Sequence, residues 1–384
     1  MSKKNQFATD VIHAGQASEP HTGAVIPPIY ATSTFANPHG DSAQAYTYGR
    51  CHNPTRSALE QMMMRLENGI GALAFASGMA AITAVTELLQ PGDEVLVHAD
   101  IYGGTWRLFE QVKARSSGIC FRFINLQDIA GLETAFGPKT RMIWLETPTN
   151  PMLGVLDIRA ISAVAKQRKV LTVVDNTFAT PYLQKPLSLG ADIVVHSATK
   201  YLNGHSDALG GIVISADKVL YDQLAFVQKT AGAILSPFDS FLILRGIKTL
   251  ALRMQAHCAG ALQVANALAE CKEVAAVIYP GLPSYAMHNL ARRLMPNGFG
   301  GVVSFRLHNA ADVRPFLERL QWITVAESLG GVESLIAQPS TMTHASVPEE
   351  KRLALGIDDR LVRLSVGIES PVDLIADLLG ALKG

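Results

Sequence analysis

The residue with the clearest catalytic potential in this chain is a lysine that follows a short apolar segment. Lys200 comes shortly after Ile193 to Val195, which we predict to be a buried strand, and Ser197 and Thr199 lie between them. An amine beside small hydroxyls suits pyridoxal phosphate, because the amine can form a Schiff base with the aldehyde while the hydroxyls bind the phosphate. For this segment alone, a solvated lysine that closes a strand is an equally good interpretation.

An aspartate located one strand-loop-strand step earlier favours the cofactor hypothesis. Asp175 ends a second apolar segment, Leu171 to Val174. In open α/β sheets, ligands lie beyond the carboxyl ends of the strands, where Asp175 and Lys200 would meet. A carboxylate there can pair with a protonated pyridine nitrogen, which keeps the ring an electron sink. The two residues together are far more specific than either one alone.

A strand-to-helix turn offers a place for the phosphate. Gly78, in Ser77-Gly78-Met79, permits close approach to the backbone, and a helix N-terminus there would present free N–H groups. On its own, the turn indicates only a tight connection. With Ser197 and Thr199 available for the same phosphate, the binding interpretation gains weight.

Two tyrosines and an arginine are further candidates for cofactor contacts. Tyr102 follows another predicted strand, and its ring could stack on a flat aromatic cofactor or its phenol could act as an acid or base. A tyrosine half-buried at a loop is the alternative. Arg50, close to Tyr48 near the N-terminus, suits bidentate phosphate binding, but spacing alone does not indicate whose cofactor it would contact.

An arginine in an apolar, alternating segment indicates an anion site. Arg363 lies within Leu361 to Glu369, where it must find either an anion or solvent. A substrate α-carboxylate is the natural partner, although strand alternation could instead place the side chain outside. Ser328 and Asn150 are weaker candidates for the same carboxylate.

The composition is that of an ordinary globular protein. With 384 residues, of which 48% are apolar and 17% charged, we expect two domains in one compact unit. Lys+Arg and Asp+Glu both number 33, and the absence of a basic excess argues against nucleic-acid or membrane-surface binding. The 11 histidines show no metal-ligand spacing, so we expect no metal site.

Cysteine usage and the first residues indicate a cytoplasmic location. The four cysteines form no CxxC motif, and reduced thiols in the cytoplasm fit this pattern best. No apolar core of signal-peptide length follows the N-terminal Met-Ser-Lys-Lys. The most apolar long segment, 238–254, contains Asp239, Arg245 and Lys248, so we expect no membrane span.

The elements that must position these residues alternate between strands and helices. Alternation of this kind predicts a mostly parallel sheet that is covered by helices on both faces. The predicted strands are Leu73 to Ala76, Glu94 to His98, Phe121 to Ile124, Met142 to Leu145, Leu171 to Val174, Ile193 to Val195 and Ile212 to Ile214.

The sequence also predicts helices before and after these strands. Asn53-Pro54 predicts a helix start, with Gly69 at its end, and residues 238–270 predict one long connecting helix. A smaller α+β domain should follow, with strands at Val303 to Leu307, Ile323 to Val325 and Leu361 to Val366, and helices at Val313 to Leu320 and Val372 to Leu382.

The complete pattern resembles the Cys/Met-metabolism family of pyridoxal-phosphate enzymes, the cystathionine γ-lyase and γ-synthase group. The resemblance covers essentially the whole chain. The motifs that carry it are Tyr48 to Thr55, Ser77-Gly-Met, Tyr102-Gly-Gly-Thr, Val174 to Phe178, Ser197 to Asp207, Glu327-Ser-Leu-Gly-Gly and Arg363 to Glu369.

The resemblance implies an α/β protein of the pyridoxal-phosphate-dependent transferase fold type I (aspartate-aminotransferase-like), with a mostly parallel seven-stranded sheet and a smaller C-terminal α+β domain. It implies an N-terminal arm at residues 1–58, a cofactor-binding large domain at 59–245 and a small domain at 246–384. A cytoplasmic homotetramer, built as a dimer of dimers, is the assembly it predicts.

The resemblance also implies roles for individual residues. The Schiff-base lysine would be Lys200, and Tyr102 would stack on the ring and take part in catalysis. The other cofactor contacts would be Asp175, Gly78, Met79, Ser197, Thr199, Thr177 and, from the neighbouring subunit, Tyr48 and Arg50. The substrate, a sulfur amino acid, would be held by Arg363, Ser328, Asn150 and Glu327.

The expected activity is carbon–sulfur lysis of cystathionine in methionine/cysteine transsulfuration. Glu327 matches the γ-lyases and γ-synthases of cystathionine, whereas methionine γ-lyases usually carry a cysteine where Gly104 stands. Gly49 leans weakly towards γ-chemistry, because some β-lyases have alanine there. Cystathionine γ-lyase, which could also eliminate at Cβ, is the first hypothesis, with γ-synthase and β-lyase as alternatives. A non-enzymatic regulator is disfavoured, since binding alone would not need the lysine.

Overall fold

A seven-stranded sheet forms the larger half of the protein, whose computed structural model describes residues 6–41 and 44–383. The strand order is β1-β7-β6-β5-β4-β2-β3, and only β7 runs antiparallel to its neighbours. The strands are β1 (Gly71–Phe75), β2 (Glu94–His98), β3 (Cys120–Ile124), β4 (Thr140–Glu146), β5 (Leu171–Asp175), β6 (Ile193–Ser197) and β7 (Gly211–Ser215). All seven predicted strands are confirmed.

Helices cover both faces of this sheet, as predicted. The helices of this half are α1 (Phe7–His13), α2 (Pro54–Glu67), α3 (Gly78–Thr86), α4 (Gly103–Arg107), α5 (Ala114–Ser117), α6 (Ile129–Ala135), α7 (Ile158–Gln167), α8 (Thr180–Leu183), α9 (Lys218–Ala231) and α10 (Pro237–Ile247). A π-helical segment (Leu108–Lys113) joins α4 to α5, and a 3-10 turn spans Pro186–Leu189. Alternate strand residues face opposite layers: Val194 packs in the core beneath α2 and α10, and Val195 in the core beneath α3 and α9.

A second sheet of five strands builds the C-terminal half, in the order β10-β11-β12-β9-β8. Its strands are β8 (Val274–Ile278), β9 (Val302–Leu307), β10 (Thr324–Val325), β11 (Leu335–Ala337) and β12 (Leu361–Ser365). Its helices are α11 (Leu250–Ala269), α12 (His288–Leu294), α13 (Val313–Arg319), α14 (Glu349–Ala354) and α15 (Pro371–Lys383), and a 3-10 turn spans Ala310–Asp312. The three predicted strands and two predicted helices are present, whereas β8, β11, α12 and α14 were not predicted.

The prediction of one long helix over residues 238–270 is wrong, because α10 ends at Ile247 and α11 begins at Leu250. Arg253 explains the break: its guanidinium donates to the carbonyl oxygens of Tyr201 and Gly246, at 2.7 and 2.8 Å. These two hydrogen bonds hold the junction between α10 and α11 against the loop that contains Lys200. Periodicity alone could not reveal this tertiary contact.

The start of α2 is confirmed, because the Asn53 side chain accepts hydrogen bonds from the N–H groups of Thr55 and Arg56. Its predicted end is wrong by one residue. The helix ends at Glu67, and Asn68, at φ 60°, adopts a left-handed conformation one residue before Gly69. Short polar side chains such as asparagine tolerate this conformation, so glycine was not required.

The N-terminal segment before α2 is mostly irregular in its described part, apart from α1. Its first five residues and residues 42–43, like the last residue of the chain, lie outside the described part. The two sheets fall on either side of residue 245, and the domain boundaries themselves stay a prediction. All four cysteines are unpaired. Within residues 6–41 and 44–383, no helix combines the length and apolarity needed to cross a membrane.

Candidate active site

A cavity of about 470 Å³ opens where the carboxyl ends of the large-sheet strands meet the small domain. Because β1, β2, β4, β5 and β6 run in the same direction, the residues that follow them meet at one edge of the sheet. The lining includes twelve of the predicted site residues: Gly78, Met79, Tyr102, Asn150, Asp175, Thr177, Ser197, Thr199, Lys200, Glu327, Ser328 and Arg363. The structure therefore brings together residues that are scattered over most of the chain.

One end of the cavity is formed by the start of α3. The Ser77 side chain caps this helix by accepting from Ala80 N–H at 3.1 Å. Among the residues that the structure describes, the N–H groups of Gly78 and Met79 have no hydrogen-bond partner. A Cβ on Gly78 would lie 2.9 Å from the Cβ of Ser197, so only glycine fits at this turn. Free N–H groups at a helix N-terminus form a suitable site for an anion such as phosphate.

Thr177 ties the ends of β5 and β6 together. Its hydroxyl donates to Asp175 Oδ1 at 2.6 Å and accepts from Ser197 N–H at 2.8 Å, while its own N–H donates to Asp175 Oδ1 at 3.0 Å. Burial raises the pKa of Asp175, and the two hydrogen bonds from Thr177 oppose this rise. Both of these bonds use Oδ1, an arrangement that orients the carboxyl group within the cavity.

Lys200 lies in the turn that follows β6, and its Nζ donates to Ser328 Oγ at 2.6 Å. Burial is the main cause that lowers the pKa of Lys200 to about 8. The positive charge of Arg363 acts in the same direction, whereas Glu327 opposes it. At neutral pH a fraction of these amines is therefore uncharged, which an exposed lysine would not achieve.

Arg363, on the central strand β12 of the small sheet, points inward rather than outward and is only 2% exposed. It donates to Asn150 Oδ1 at 2.9 Å and to the carbonyl oxygen of Ser328 at 2.7 Å. Its Nε is buried, with no hydrogen-bond partner among the described residues. Burial lowers the pKa of Arg363 to about 10, so the guanidinium stays charged at neutral pH. Because Arg363 also lines the cavity, this buried cation is suited to a carboxylate ligand.

The loop after β10 holds Ser328 in an unusual conformation. Ser328 has φ of 94°, a region that residues with a side chain rarely adopt. The loop is fixed by Gly330 N–H, which donates to Ser365 Oγ at 2.9 Å, and by Val332 N–H, which donates to the carbonyl of Gly204. This backbone lets one serine contact both Lys200 and Arg363.

Tyr102 is the N-cap residue directly before α4, and its N–H donates to Glu146 Oε2 at 2.9 Å. Its side chain is 38% exposed and lines the cavity. A Cβ on Gly104 would lie 2.4 Å from the Tyr102 ring, so the glycine leaves the space that the ring occupies. A cysteine at this position would force the ring to move.

Sequence reasoning did not identify all of the polar lining. Glu146 ends β4 and Arg107 lies on α4, and both line the cavity. Glu146 directly follows the predicted strand Met142 to Leu145 and comes four residues before Asn150, so its position after a buried strand was the available signal. Arg107 carries no such signal, because it is one of many helix arginines.

Two predicted cofactor residues lie away from this chain's cavity. Tyr48 is 45% exposed, and the guanidinium of Arg50 lies 5.4 Å from its ring centroid. Arg50 also donates to the carbonyl of Lys229. Neither residue contributes to the cavity of its own chain, so their role in a neighbouring subunit stays a prediction.

The residues present fit pyridoxal phosphate. The unpartnered N–H groups of Gly78 and Met79 suit its phosphate, and the amine of Lys200 suits its aldehyde. The Asp175 carboxyl suits its ring nitrogen, and Tyr102 is available for ring stacking. Arg363 lines the same cavity and offers a separate cationic partner for an amino-acid carboxylate.

Comparison with known proteins places these features in a family. A family model described as Cys/Met metabolism PLP-dependent enzyme matches residues 8–383. A cystathionine beta-lyase from Coxiella burnetii is 51% identical over 383 residues, covering 99% of each chain. A cystathionine gamma-lyase from Dictyostelium discoideum is 50% identical over 386 residues, covering 100% of this chain and 99% of that protein.

A solved structure shows the same architecture. Cystathionine gamma synthase from Xanthomonas oryzae pv. oryzae, in complex with aminoacrylate and cysteine, matches with a TM-score of 0.96 and 43% identity, covering 99% of this chain and 98% of the other. The predicted fold type I is thereby confirmed. The three proteins bear three different activity names at similar identity, so their names do not select one activity.

Proposed function

The chain belongs to the Cys/Met metabolism family of PLP-dependent enzymes, and from this premise we propose that it is a carbon–sulfur lyase that acts on cystathionine. Cleavage at Cγ is the activity that we favour, with cleavage at Cβ as a further capacity. The observation that carries the proposal is the contact of Lys200 and Arg363 with one serine, Ser328. It sets a proton-accepting amine beside a carboxylate-binding guanidinium, as an amino-acid substrate requires.

The large domain would hold the cofactor. We assign its phosphate to Gly78, Met79, Ser197 and Thr199, where helix α3 presents its N-terminus. Asp175 would pair with the ring nitrogen, and Thr177 would orient Asp175. Tyr102 would stack on the ring, and Lys200 would hold the aldehyde carbon.

The reaction would use the following proton transfers. Pyridoxal phosphate, when bound, supplies a ring that accepts the electron pair left when the substrate loses its Cα proton. Lys200 Nζ, once the substrate amine has replaced it at the aldehyde carbon, would take up that proton, because burial lowers its pKa to about 8 and makes the neutral amine accessible. The negative charge of Asp175 keeps the ring nitrogen protonated. Tyr102 donates a proton to the departing sulfur.

The small domain would select and orient the substrate. Arg363 and Asn150, held together at 2.9 Å, would bind the α-carboxylate, with Ser328 beside them. Glu327 lines the same cavity and would attract the distal amino group of cystathionine. In γ-cleavage a further proton leaves Cβ before sulfur departs from Cγ, whereas in β-cleavage sulfur leaves Cβ directly.

Cystathionine γ-synthase is the second candidate, because a structural neighbour with a TM-score of 0.96 bears that name. The same residues would then serve γ-replacement, with cysteine as the incoming nucleophile on an O-acyl-homoserine. A relative at 51% identity bears the name of a β-lyase, which is the third candidate.

One product analysis distinguishes the three candidates. The purified protein with pyridoxal phosphate is given cystathionine, and in a parallel reaction O-acyl-homoserine plus cysteine. Cysteine with 2-oxobutanoate identifies the γ-lyase, homocysteine with pyruvate identifies the β-lyase, and cystathionine formation identifies the synthase. The Lys200→Ala variant is the control, since it lacks the proton-accepting amine. If the wild type releases none of these products, the proposed function is wrong.

The assembly belongs to the same proposal. Because Tyr48 and Arg50 lie outside their own chain's cavity, we assign them to the phosphate of a neighbouring subunit. The N-terminal segment also exposes apolar side chains, among them Val25 at 80% and Ile26 at 52%. Burial of such side chains against a second copy would stabilise the predicted dimer of dimers.

A further inference from the structure

Three carboxyl side chains lie in a row at the edge of the large sheet that lines the active site. Asp175 ends β5, Glu146 ends β4 and is its register partner, and Asp100 follows β2, the next strand in the sheet. All three are buried, with exposures of 8%, 5% and 8% respectively. Glu146 is the central member, with one carboxyl group on each side.

The three carboxyl groups have different partners. Asp175 accepts two hydrogen bonds from Thr177, and Asp100 accepts one from the Thr149 hydroxyl. Glu146 accepts the backbone N–H of Tyr102 at 2.9 Å. Within residues 6–41 and 44–383, no basic side chain forms a hydrogen bond or ion pair with Glu146.

The surroundings of Glu146 and Asp175 determine which of the two carboxyl groups is protonated. A buried carboxylate without a cation is costly, and two neighbouring carboxylates cannot both ionise cheaply. Burial and the adjacent charge of Asp175 raise the pKa of Glu146 well above its ordinary value, and Asp100 adds to this rise. The backbone N–H groups of Tyr102 and Asn150 oppose this rise, and the charge of Arg363 acts from the small domain. Two hydrogen bonds from Thr177 and the neighbouring His196 favour the charged form of Asp175, whereas the neighbouring acids Asp175 and Asp100 disfavour that of Glu146, so the negative charge belongs on Asp175.

We propose that Glu146 is a positioning residue held as a neutral carboxylic acid, which fixes the Tyr102 backbone and leaves the negative charge of this edge on Asp175. The proposal rests on the proposed function, because Asp175 and Tyr102 are the groups assigned to the ring of pyridoxal phosphate. Under this proposal, Asp175 carries the negative charge that faces the ring nitrogen because Glu146, on the neighbouring strand β4, keeps its proton.

The first test measures how protein stability depends on pH, without any turnover. A neutral Glu146 binds a proton that the unfolded chain releases above its ordinary pKa of 4.5, so the folded state loses stability as the pH rises. Glu146→Gln needs no such proton. Its melting temperature relative to wild type should therefore climb by roughly 1–2 °C per pH unit between about pH 5 and pH 8.

Glu94→Gln is the matched control. Glu94 is also a glutamate at the end of a strand of the same sheet: it begins β2, which is adjacent to β4. Burial tends to raise the pKa of Glu94, but the hydrogen bonds from Arg122 and Thr140 outweigh it and lower the pKa. Glu94 is then ionised throughout this pH range. The melting temperature of Glu94→Gln should lie below that of wild type by an amount that does not change between about pH 5 and pH 8. A flat difference for Glu146→Gln as well would overturn the proposal.

The second test compares the affinity for pyridoxal phosphate of two amide variants. If the charge resides on Asp175, Asp175→Asn should bind the cofactor roughly 10-fold more weakly than Glu146→Gln, because it loses a charged partner of the ring. If Glu146 were the ionised member, the order would be reversed, and the proposal would be wrong. Should the wild type itself bind no pyridoxal phosphate, the proposed function fails, while the pH dependence of stability still tests the protonation of Glu146.

Infrared spectroscopy of the wild type tests the protonation of Glu146 even if the variants fail to fold. A protonated carboxyl has a C=O stretching band separate from those of carboxylates. We expect this band to persist in the folded protein at about pH 8, where an ordinary glutamate is ionised. Its absence would contradict the proposal without the use of any variant.

Discussion

Replacement of Arg363 tests both substrate binding and the electrostatics of Lys200. The guanidinium is 2% exposed, donates to Asn150 Oδ1 and the Ser328 carbonyl at 2.9 and 2.7 Å, and lines the cavity. Arg363→Gln removes the charge, and Arg363→Lys keeps the charge but loses the planar fork. The two variants therefore separate the charge from the geometry.

The magnitude follows from the bonds that would be lost. A hydrogen bond to a charged group contributes about 1.5–3 kcal/mol, so loss of the carboxylate pair in Arg363→Gln should cost about 3 kcal/mol. This corresponds to a fall of roughly 100-fold in kcat/KM. Arg363→Lys keeps one charged contact and should lose about 10-fold.

The pH dependence of kcat gives a second readout on the same variants. Burial and the charge of Arg363 both lower the pKa of Lys200, so removal of that charge should raise it above about 8. The rise of kcat with pH should then shift to higher pH in Arg363→Gln and stay in place in Arg363→Lys. A kcat/KM of Arg363→Gln within about threefold of wild type, with an unshifted pH profile, would refute the reasoning.

Three other predictions concern the cofactor, the assembly and the core. Gly78→Val should weaken pyridoxal phosphate binding at least about 10-fold in a fluorescence titration while the fold persists, because its side chain would meet Ser197; unchanged affinity would exclude the α3 site. Co-expression of inactive Arg50→Ala and Lys200→Ala chains should restore about a quarter of wild-type activity if sites are completed by a neighbour, and none if they are not. Gly246→Ala should lose about 1–3 kcal/mol in denaturant unfolding, because its Cβ would lie 2.1 Å from a carbonyl oxygen of the neighbouring loop.

The large sheet was predictable because all of its strands except the edge strand β3 are largely buried on both faces. Such strands are continuous apolar segments bounded by turns, and β5 and β6 are good examples. The polar residues that end these strands, Asp175 and Ser197, indicated the candidate site because they stand out at the ends of apolar segments. A parallel sheet gathers the residues after its strands at one edge, so a linear pattern translated directly into a cluster.

Other features depend on contacts that a linear pattern does not contain. Strand β11 is only three residues long, and β8 is partly exposed, so neither forms a clear apolar segment. The break between α10 and α11 depends on Arg253, which binds carbonyl groups distant in the sequence. The position of Glu146 between two other carboxyl groups follows from the strand order, which the sequence does not show.

The most direct measurement locates the covalent attachment of the cofactor. The protein loaded with pyridoxal phosphate is reduced with borohydride and digested, and the modified peptide is sequenced by mass spectrometry. Lys200 should carry the pyridoxyl group, because its buried amine has a pKa lowered to about 8 and lines the same cavity as Asp175. A pyridoxyl group on a different lysine, or on none, would contradict the account.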